Sequence, residues 1–102
     1  MKMDQILKQA KKLQAEMAKA QEELAHEVVE GSAGGGLVKV KANGQGDIVG
    51  ITIDEQVIDP EEKDMLEDLV LAAISDALMK SRELAQKRMG AFGKGFGIPG
   101  LM

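Results

Sequence analysis

The sequence predicts an α+β fold in which two long helices flank a small antiparallel sheet, in the order α-β-β-β-α. Three observations predict it. Apolar residues recur at helical spacing through the first 25 positions, a stretch rich in glycine and β-branched residues follows over residues 27–53, and a second helical pattern begins at Pro60. Because 102 residues is the usual size of one domain, we expect a single domain over residues 1–90 and a flexible Gly/Phe tail over residues 91–102.

The composition excludes several classes of protein. The chain contains no cysteine, so it has neither a disulfide framework nor a thiolate metal site. The N-terminus is too polar for a signal peptide, and no apolar run approaches the roughly 18 residues of a membrane span. We therefore expect a cytoplasmic protein with no membrane contact. Only Phe92 and Phe96 are aromatic, so we expect an aliphatic core rich in methionine.

The first predicted helix covers residues 3–25 and carries a narrow apolar seam. The seam residues are spaced alternately by three and four: Met3, Ile6, Ala10, Leu13, Met17, Ala20 and Leu24. A seam this narrow is typical of a helix that packs against one partner helix along its length. The other faces carry lysines, which we expect to be in water: Lys8, Lys11, Lys12 and Lys19.

Three short strands are predicted from the change of period that follows, at residues 27–32, 37–43 and 47–53. The sequence Asn43-Gly44-Gln45-Gly46 indicates a hairpin turn between the second and third strands. If the turn is centred on Gly44 and Gln45, the predicted cross-strand pairs are Val40 with Val49 and Val38 with Ile51. These four side chains would form one apolar face, on which the second helix lies.

The second predicted helix has a clear start. Asp59 is a candidate N-cap, Pro60 suits the first helical position, and Glu62 completes an arrangement like a capping box. We expect the helix to end near Gly90, after two basic residues that suit its negative end. Its first half is apolar on a broad face, whereas apolar positions become sparse after Lys80, so its last turns should project beyond the sheet.

The lengths of these elements favour a homodimer. At 1.5 Å per residue the two helices would be about 33 and 45 Å long, whereas a short strand spans only about 20 Å. One small sheet therefore cannot cover both helices, and a second copy of the chain is the simplest remedy. A two-fold dimer would also place basic helix ends in symmetric pairs, which suits a DNA duplex.

No constellation for catalysis or for a cofactor is found. The glycines of residues 31–46 are followed by a strand and not by a helix N-terminus, so they do not form a phosphate-binding loop. His26 is the only histidine, and its position at a helix end makes a zinc site a poor interpretation. The serines have no base with which to form a relay. We expect no enzyme activity, no metal and no small-molecule substrate.

Charge is segregated along the chain. Residues 1–20 carry five lysines and two acids, residues 21–76 carry three lysines and fourteen acids, and residues 77–102 carry five basic residues and one acid. The candidate phosphate contacts therefore lie on the two helices: Lys8, Lys11, Lys12, Lys19, Lys80, Arg82, Lys87 and Arg88. Any one of these side chains could instead solvate a helix face, and a pI near 5.0 is far from the usual profile of a nucleic-acid-binding module. On the residues alone, a dimeric interaction protein ranks first and a nucleic-acid binder a close second.

The order of these segments resembles that of a known family. The chain is similar to the bacterial YbaB/EbfC nucleoid-associated proteins over essentially its whole length. The similarity lies in four segments that occur in this order: QAKKLQAEM, EVVEGSAGGGLVKVKANGQGDIVGITID, DPEEKDMLEDLVLAAISDALMKS and GIPGLM. The AGGGLVKVKANG block followed by MLEDLVLAA is a specific combination.

The resemblance implies a homodimer whose helices protrude like the arms of tweezers and bind double-stranded DNA with little or modest sequence preference. It also implies a location in the nucleoid, a part in nucleoid organisation, and links to gene regulation and to recombination or repair. The family supplies no catalytic residues. Its DNA contacts are ascribed to the helical arms, which here match the stretches 8–19 and 80–88. The alternative function is a protein interaction adaptor for which DNA contact is incidental.

Overall fold

The structure is a computed structural model, and it describes residues 2–95. The predicted α-β-β-β-α order is confirmed, and the strands begin and end within one residue of their predicted bounds. The elements are α1 (Met3–Leu24), β1 (Val28–Ala33), β2 (Val38–Asn43), β3 (Ile48–Ile53), two 3-10 turns (Glu55–Val57 and Pro60–Glu62) and α2 (Lys63–Gly95). The strands form one antiparallel sheet in the order β1-β2-β3.

The core lies between α2 and one face of the sheet. The alternating residues Val38, Val40 and Ala42 of β2 are fully buried there, and so are two alanines of α2, Ala73 and Ala77. The intervening lysines of β2 are exposed on the opposite face. This alternation is what a strand with one covered face and one solvated face requires.

The predicted pairing of β2 with β3 is wrong by two residues. Val40 pairs with Ile51, not with Val49, and Val38 pairs with Ile53. Two local features add one residue each to the β3 side: Gly46, which has a φ of +87° and closes a three-residue loop, and a bulge beside Lys41. One added residue would turn the side chains of β3 to the opposite face of the sheet, and the second turns them back. Ile51 and Ile53 therefore lie on the face that the alternation predicts.

The expectation that all four apolar residues form the platform under α2 is also wrong. The two β2 valines are buried, but Val49 and Ile51 of β3 are 54% and 49% exposed. The helix lies over β1 and β2, because Gly31 of β1 has no side chain to hold the helix backbone away. The inner face of β3 is therefore covered at Ile53, which packs against the core, and remains uncovered at Val49 and Ile51.

The predicted start of the second helix is only partly right. The side chain of Asp59 accepts a hydrogen bond from the amide of Glu61, but it caps the 3-10 turn at Pro60, and α2 itself begins at Lys63. The predicted end near Gly90 is wrong, because the helix continues to Gly95. Gly90 and Gly93 each cost the helix only about 1 kcal/mol, and neither removes a backbone donor. The first five residues of the predicted tail are thus helical, and residues 96–102, including Phe96, lie outside the described residues.

The first helix is covered only near its end. Ala20 and Leu24 are buried and Leu13 and Met17 are half-buried, whereas Met3 is 69% exposed. The molecule measures 70 × 26 × 16 Å, so it is a rod and not a sphere. The N-terminal half of α1 forms an arm that touches little else among the described residues.

Candidate nucleic-acid interface

The α1 arm is attached to the sheet through the turn between β2 and β3. The amide of Gly44 donates hydrogen bonds to the carbonyls of Leu24 (2.8 Å) and Glu27 (3.0 Å), and the side-chain amide of Gln45 donates to the carbonyl of Gln21 (2.7 Å). A helix leaves its last carbonyls without intrahelical donors, and the turn supplies them here. A Cβ on Gly44 would lie 2.9 Å from the backbone carbonyl oxygen of Leu24, which cannot rotate away as a side chain can, so the close approach requires glycine.

The same turn is held against α2 by a buried hydroxyl. Ser81 is 1% exposed, and its Oγ donates a 2.7 Å hydrogen bond to the carbonyl of Asn43. The side-chain oxygen of Asn43 accepts from the amides of Gln45 and Asp47, both at 3.0 Å, which fixes the shape of the turn. The turn is therefore the point at which α1, the sheet and α2 meet.

The basic residues predicted on α1 are exposed on this arm. Four lysines lie in solvent, as their positions outside the apolar seam predict: Lys8, Lys11, Lys12 and Lys19. None of them forms a hydrogen bond or ion pair with another described residue. Their ammonium groups are available to an anionic partner. Such a row of cations along an exposed helix suits a polymer of phosphates better than a single small anion.

The basic residues predicted on α2 divide into two kinds. Arg82 and Lys87 are exposed, and within residues 2–95 neither forms a side-chain hydrogen bond or an ion pair with another residue. Lys80 instead donates to the carbonyl of Glu30 at 3.0 Å and forms a 3.3 Å ion pair with Asp76. Arg88 is bound by two carboxylates and is half-buried.

Asp76 and Lys80 together cover the outer edge of β1. One carboxylate oxygen of Asp76 accepts a 3.0 Å hydrogen bond from the amide of Ser32, while Lys80 satisfies the carbonyl of Glu30, two residues earlier. The amide of Ser32 and then the Lys80 ammonium lower the pKa of Asp76 below its ordinary value. An edge strand blocked in this way is a poor site for another strand.

Arg88 ties α2 to the end of α1. Its Nη1 donates to Oε2 of Glu23 at 2.9 Å and its Nη2 donates to Oε1 of Glu27 at 2.6 Å. The hydrogen bonds to Glu23 and then Glu27 raise the pKa of the guanidinium above its ordinary value. Sequence reasoning missed both acids, because partners 61 and 65 residues away leave no local pattern.

Two further observations limit the chemistry of this surface. Within residues 2–95, no group of three or more His, Cys, Asp or Glu side chains is placed to hold a metal ion. No helix in that part of the chain is long and apolar enough to cross a membrane. What the surface offers is two helices that carry exposed cations and meet at a hydrogen-bonded junction.

Comparison with known proteins identifies the family. Residues 1–96 match the YbaB/EbfC DNA-binding family. The chain is 50% identical over 95 residues to a nucleoid-associated protein of Syntrophobacter fumaroxidans, covering 93% of this chain and 86% of that one. It is 53% identical over 100 residues to a nucleoid-associated protein of Bacillus thuringiensis, covering 98% and 92%. The chain belongs to the YbaB/EbfC DNA-binding family.

A solved structure has the same fold. The uncharacterized protein HP0035 of Helicobacter pylori superposes with a TM-score of 0.75 over 92% of this chain and 97% of that one. The two sequences are 23% identical. The likeness is therefore one of architecture: the long helices and the three-stranded sheet occur together in both chains.

Proposed function

We propose that this protein is a dimeric nucleoid-associated protein that binds duplex DNA with little or modest sequence preference through its basic helical arms. The observation that carries the proposal is the row of exposed lysines on α1 that form no ion pair with any other residue of the range 2–95: Lys8, Lys11, Lys12 and Lys19. The names of the close relatives support a place in the nucleoid of the cytoplasm. Contributions to nucleoid organisation, and through it to gene regulation or recombination and repair, would follow from such binding.

Phosphate contact explains the weak sequence preference. The candidate phosphate contacts that are exposed and unpaired among the described residues are the four lysines on α1, with Arg82 and Lys87 on α2. A flexible ammonium group reaches a phosphate without reading a base edge. Binding of this kind releases counterions, so its affinity falls steeply with salt. Net charge alone is a poor guide here, because the acids that give the chain its charge of −4 are concentrated between the two basic ends.

The uncovered face of the sheet supports the homodimer. Asp76 and Lys80 bond to β1, so the side of α2 that carries them lies next to that strand. Successive residues of a helix are rotated by about 100°, which places Leu71 and Leu78 on the opposite side of α2, toward β3. Leu71 is exposed, Leu78 is half-buried, and Ile51 on β3 is uncovered. The outer edge of β3 is also unpaired within the described residues, whereas that of β1 is blocked. A second copy that met this surface would cover its apolar side chains.

Sedimentation velocity tests the dimer. We expect a dimer for the natural chain and a monomer for Ile51→Asp, since the charge would lie in the proposed interface. The matched control is Thr52→Asp, which places the same charge on the opposite face of the same strand and should leave the dimer intact. A natural chain that sediments as a monomer would exclude the dimer.

Fluorescence anisotropy with two duplexes of unrelated sequence tests the DNA proposal. We expect comparable affinities for both, and a logarithm of the binding constant that falls linearly with the logarithm of salt concentration. No binding at low salt, or binding that does not respond to salt, would contradict phosphate contact.

A protein interaction adaptor is the second candidate function. The observation that favours it is the exposure of apolar side chains at the free end of α1: Met3, Ile6 and Leu7. A partner helix could cover this part of the seam. Capture of partners from extract treated with nuclease separates the two functions, because partners that depend on DNA are lost and partners of an adaptor are retained.

A further inference from the structure

Arg88 occupies a position unlike that of the other basic residues on the helices. Its guanidinium bridges Glu23, in the last turn of α1, and Glu27, just before β1. Both distances, 2.9 and 2.6 Å, are those of strong charge-assisted hydrogen bonds. Among the described residues, this is the only ion pair that connects α1 with α2.

The location of this bridge matters as much as its strength. The turn at Gly44 and the buried Leu24 hold the end of α1, and Ser81 marks where that turn touches α2. Arg88 lies seven residues further along α2, which is about 10 Å. On α1 the two attachments are next to each other, at Leu24 and Glu23, but they go to different elements: the turn holds a backbone carbonyl, and Arg88 of α2 holds a side chain. A helix attached to the turn alone can tilt about that contact, and the second attachment restricts the tilt.

A phosphate would be a poor competitor for this guanidinium. The group formed by Arg88, Glu23 and Glu27 has two negative charges and one positive charge, so it repels an anion as a unit. Binding to DNA through Arg88 would also leave two adjacent carboxylates without their partner. Lys87, one residue earlier, is exposed and bonds to no other described residue, so it is the available cation at this level of the helix.

We propose that Arg88 is a positioning residue, which fixes the direction of the α1 arm by bridging Glu23 and Glu27, and that it does not contact DNA phosphate. The proposal rests on the proposed DNA-binding function only for its effect on affinity. If loss of the bridge left the arms in the binding direction for about a tenth of the time, the apparent Kd for DNA would rise about tenfold.

The direction of the arm is measurable without DNA. The chain has no cysteine, so spin labels can be attached at Ala10→Cys on the arm and Thr52→Cys on the sheet. The labelled chain is diluted into an excess of the unlabelled, cysteine-free protein, so that only distances within one chain are recorded. We expect a narrow distance distribution for the parent, a broad one for Arg88→Gln, and no change for the matched control Lys87→Gln.

DNA binding at several salt concentrations supplies the second measurement. If Arg88 is a positioning residue, Arg88→Gln raises the Kd about tenfold while the salt slope stays that of the parent. Lys87→Gln should instead reduce the slope, by about 0.9 for each phosphate that the variant no longer neutralises. Arg88→Lys keeps the positive charge, but an ammonium group lacks the planar arrangement of donors with which the guanidinium bridges two carboxylates. This variant should therefore weaken DNA binding as Arg88→Gln does.

The opposite results would overturn the proposal. An unchanged distance distribution in Arg88→Gln would show that the bridge does not set the direction of the arm. Full affinity in Arg88→Lys, together with a reduced salt slope in Arg88→Gln, would make Arg88 a phosphate contact. If the parent binds no DNA, the proposed function fails, whereas the distance measurement still decides whether Arg88 positions the arm.

Discussion

Gly31 of β1 lies directly against the backbone of α2 at Ala77. A Cβ built on Gly31 would overlap the amide nitrogen of Ala77 and would lie 2.6 Å from the carbonyl oxygen of Ala73. Backbone atoms cannot rotate out of the way as a side chain can. The close packing of α2 on the sheet therefore depends on the absence of a side chain at Gly31 and on the small alanine side chains that face it on the helix.

Substitution of Gly31 by alanine should destabilise the fold by about 3 kcal/mol, because the helix must lift from the sheet to admit the methyl group. The free energy of unfolding in urea measures this. Gly50→Ala is the matched control: it is also a strand glycine, but a Cβ there meets nothing within 4 Å, so its effect should stay within about 0.5 kcal/mol. Equal effects of the two substitutions would show that the close approach does not limit stability.

The buried hydroxyl of Ser81 gives a second prediction. Ser81→Ala removes the 2.7 Å hydrogen bond to the carbonyl of Asn43 at the junction of the two helices and the sheet, and should cost about 1–2 kcal/mol. Thermal and urea unfolding measure the loss. Ser75→Ala, at an exposed position of the same helix, should be neutral or slightly stabilising, since alanine is the better helix former. A neutral Ser81→Ala would mean that the turn is held by its other hydrogen bonds.

The carboxylate of Asp76 predicts how stability depends on pH. The Ser32 amide and the Lys80 ammonium lower its pKa in the folded chain below the ordinary value of 3.8. The group thus stabilises the fold fully above the ordinary value, and this contribution is lost as the pH falls through the lowered pKa. The difference in unfolding free energy between the natural chain and Asp76→Asn should be constant near neutral pH and should shrink below about pH 4.

Asp68→Asn is the matched control for this pH dependence. Asp68 is an exposed acid on the same helix and bonds to no other described residue, so its substitution removes a charge but no hydrogen bond and should change the free energy of unfolding little. A difference for Asp76→Asn that persists undiminished at pH 2 would contradict the assigned cause, because the unfolded natural chain takes up a proton at this group once the pH falls below the ordinary value of 3.8.

The local features of the fold follow from the sequence. The heptad spacing in α1, the alternation in β2 and the glycines around Gln45 each act within a few residues, and each predicts its element to within about one residue. The exposure of the α1 lysines follows in the same way, because the seam determines which faces of the helix are left for water.

The sequence does not predict three features that depend on how one element meets another. The bulge beside Lys41 and the left-handed Gly46 together move the partner of Val40 by two residues, and no alternation pattern distinguishes a shift of two from none. The role of Gly31 depends on which alanines of α2 face it. The pairing of Arg88 with Glu23 and Glu27 likewise depends on how the end of α1 meets α2, which local periodicity does not describe.

The most direct test of the central claim compares two triple variants in DNA binding. Lys8→Gln, Lys11→Gln and Lys12→Gln together neutralise the exposed arm of α1, and Lys39→Gln, Lys41→Gln and Lys63→Gln make the same charge change on the sheet and at the start of α2. We expect the arm variant to lose affinity for unrelated duplexes alike and to show a salt slope reduced by about 0.9 for each phosphate left without its lysine, while the second variant stays close to the parent. Equal losses in the two variants, or none in the arm variant, would contradict binding through the helical arms.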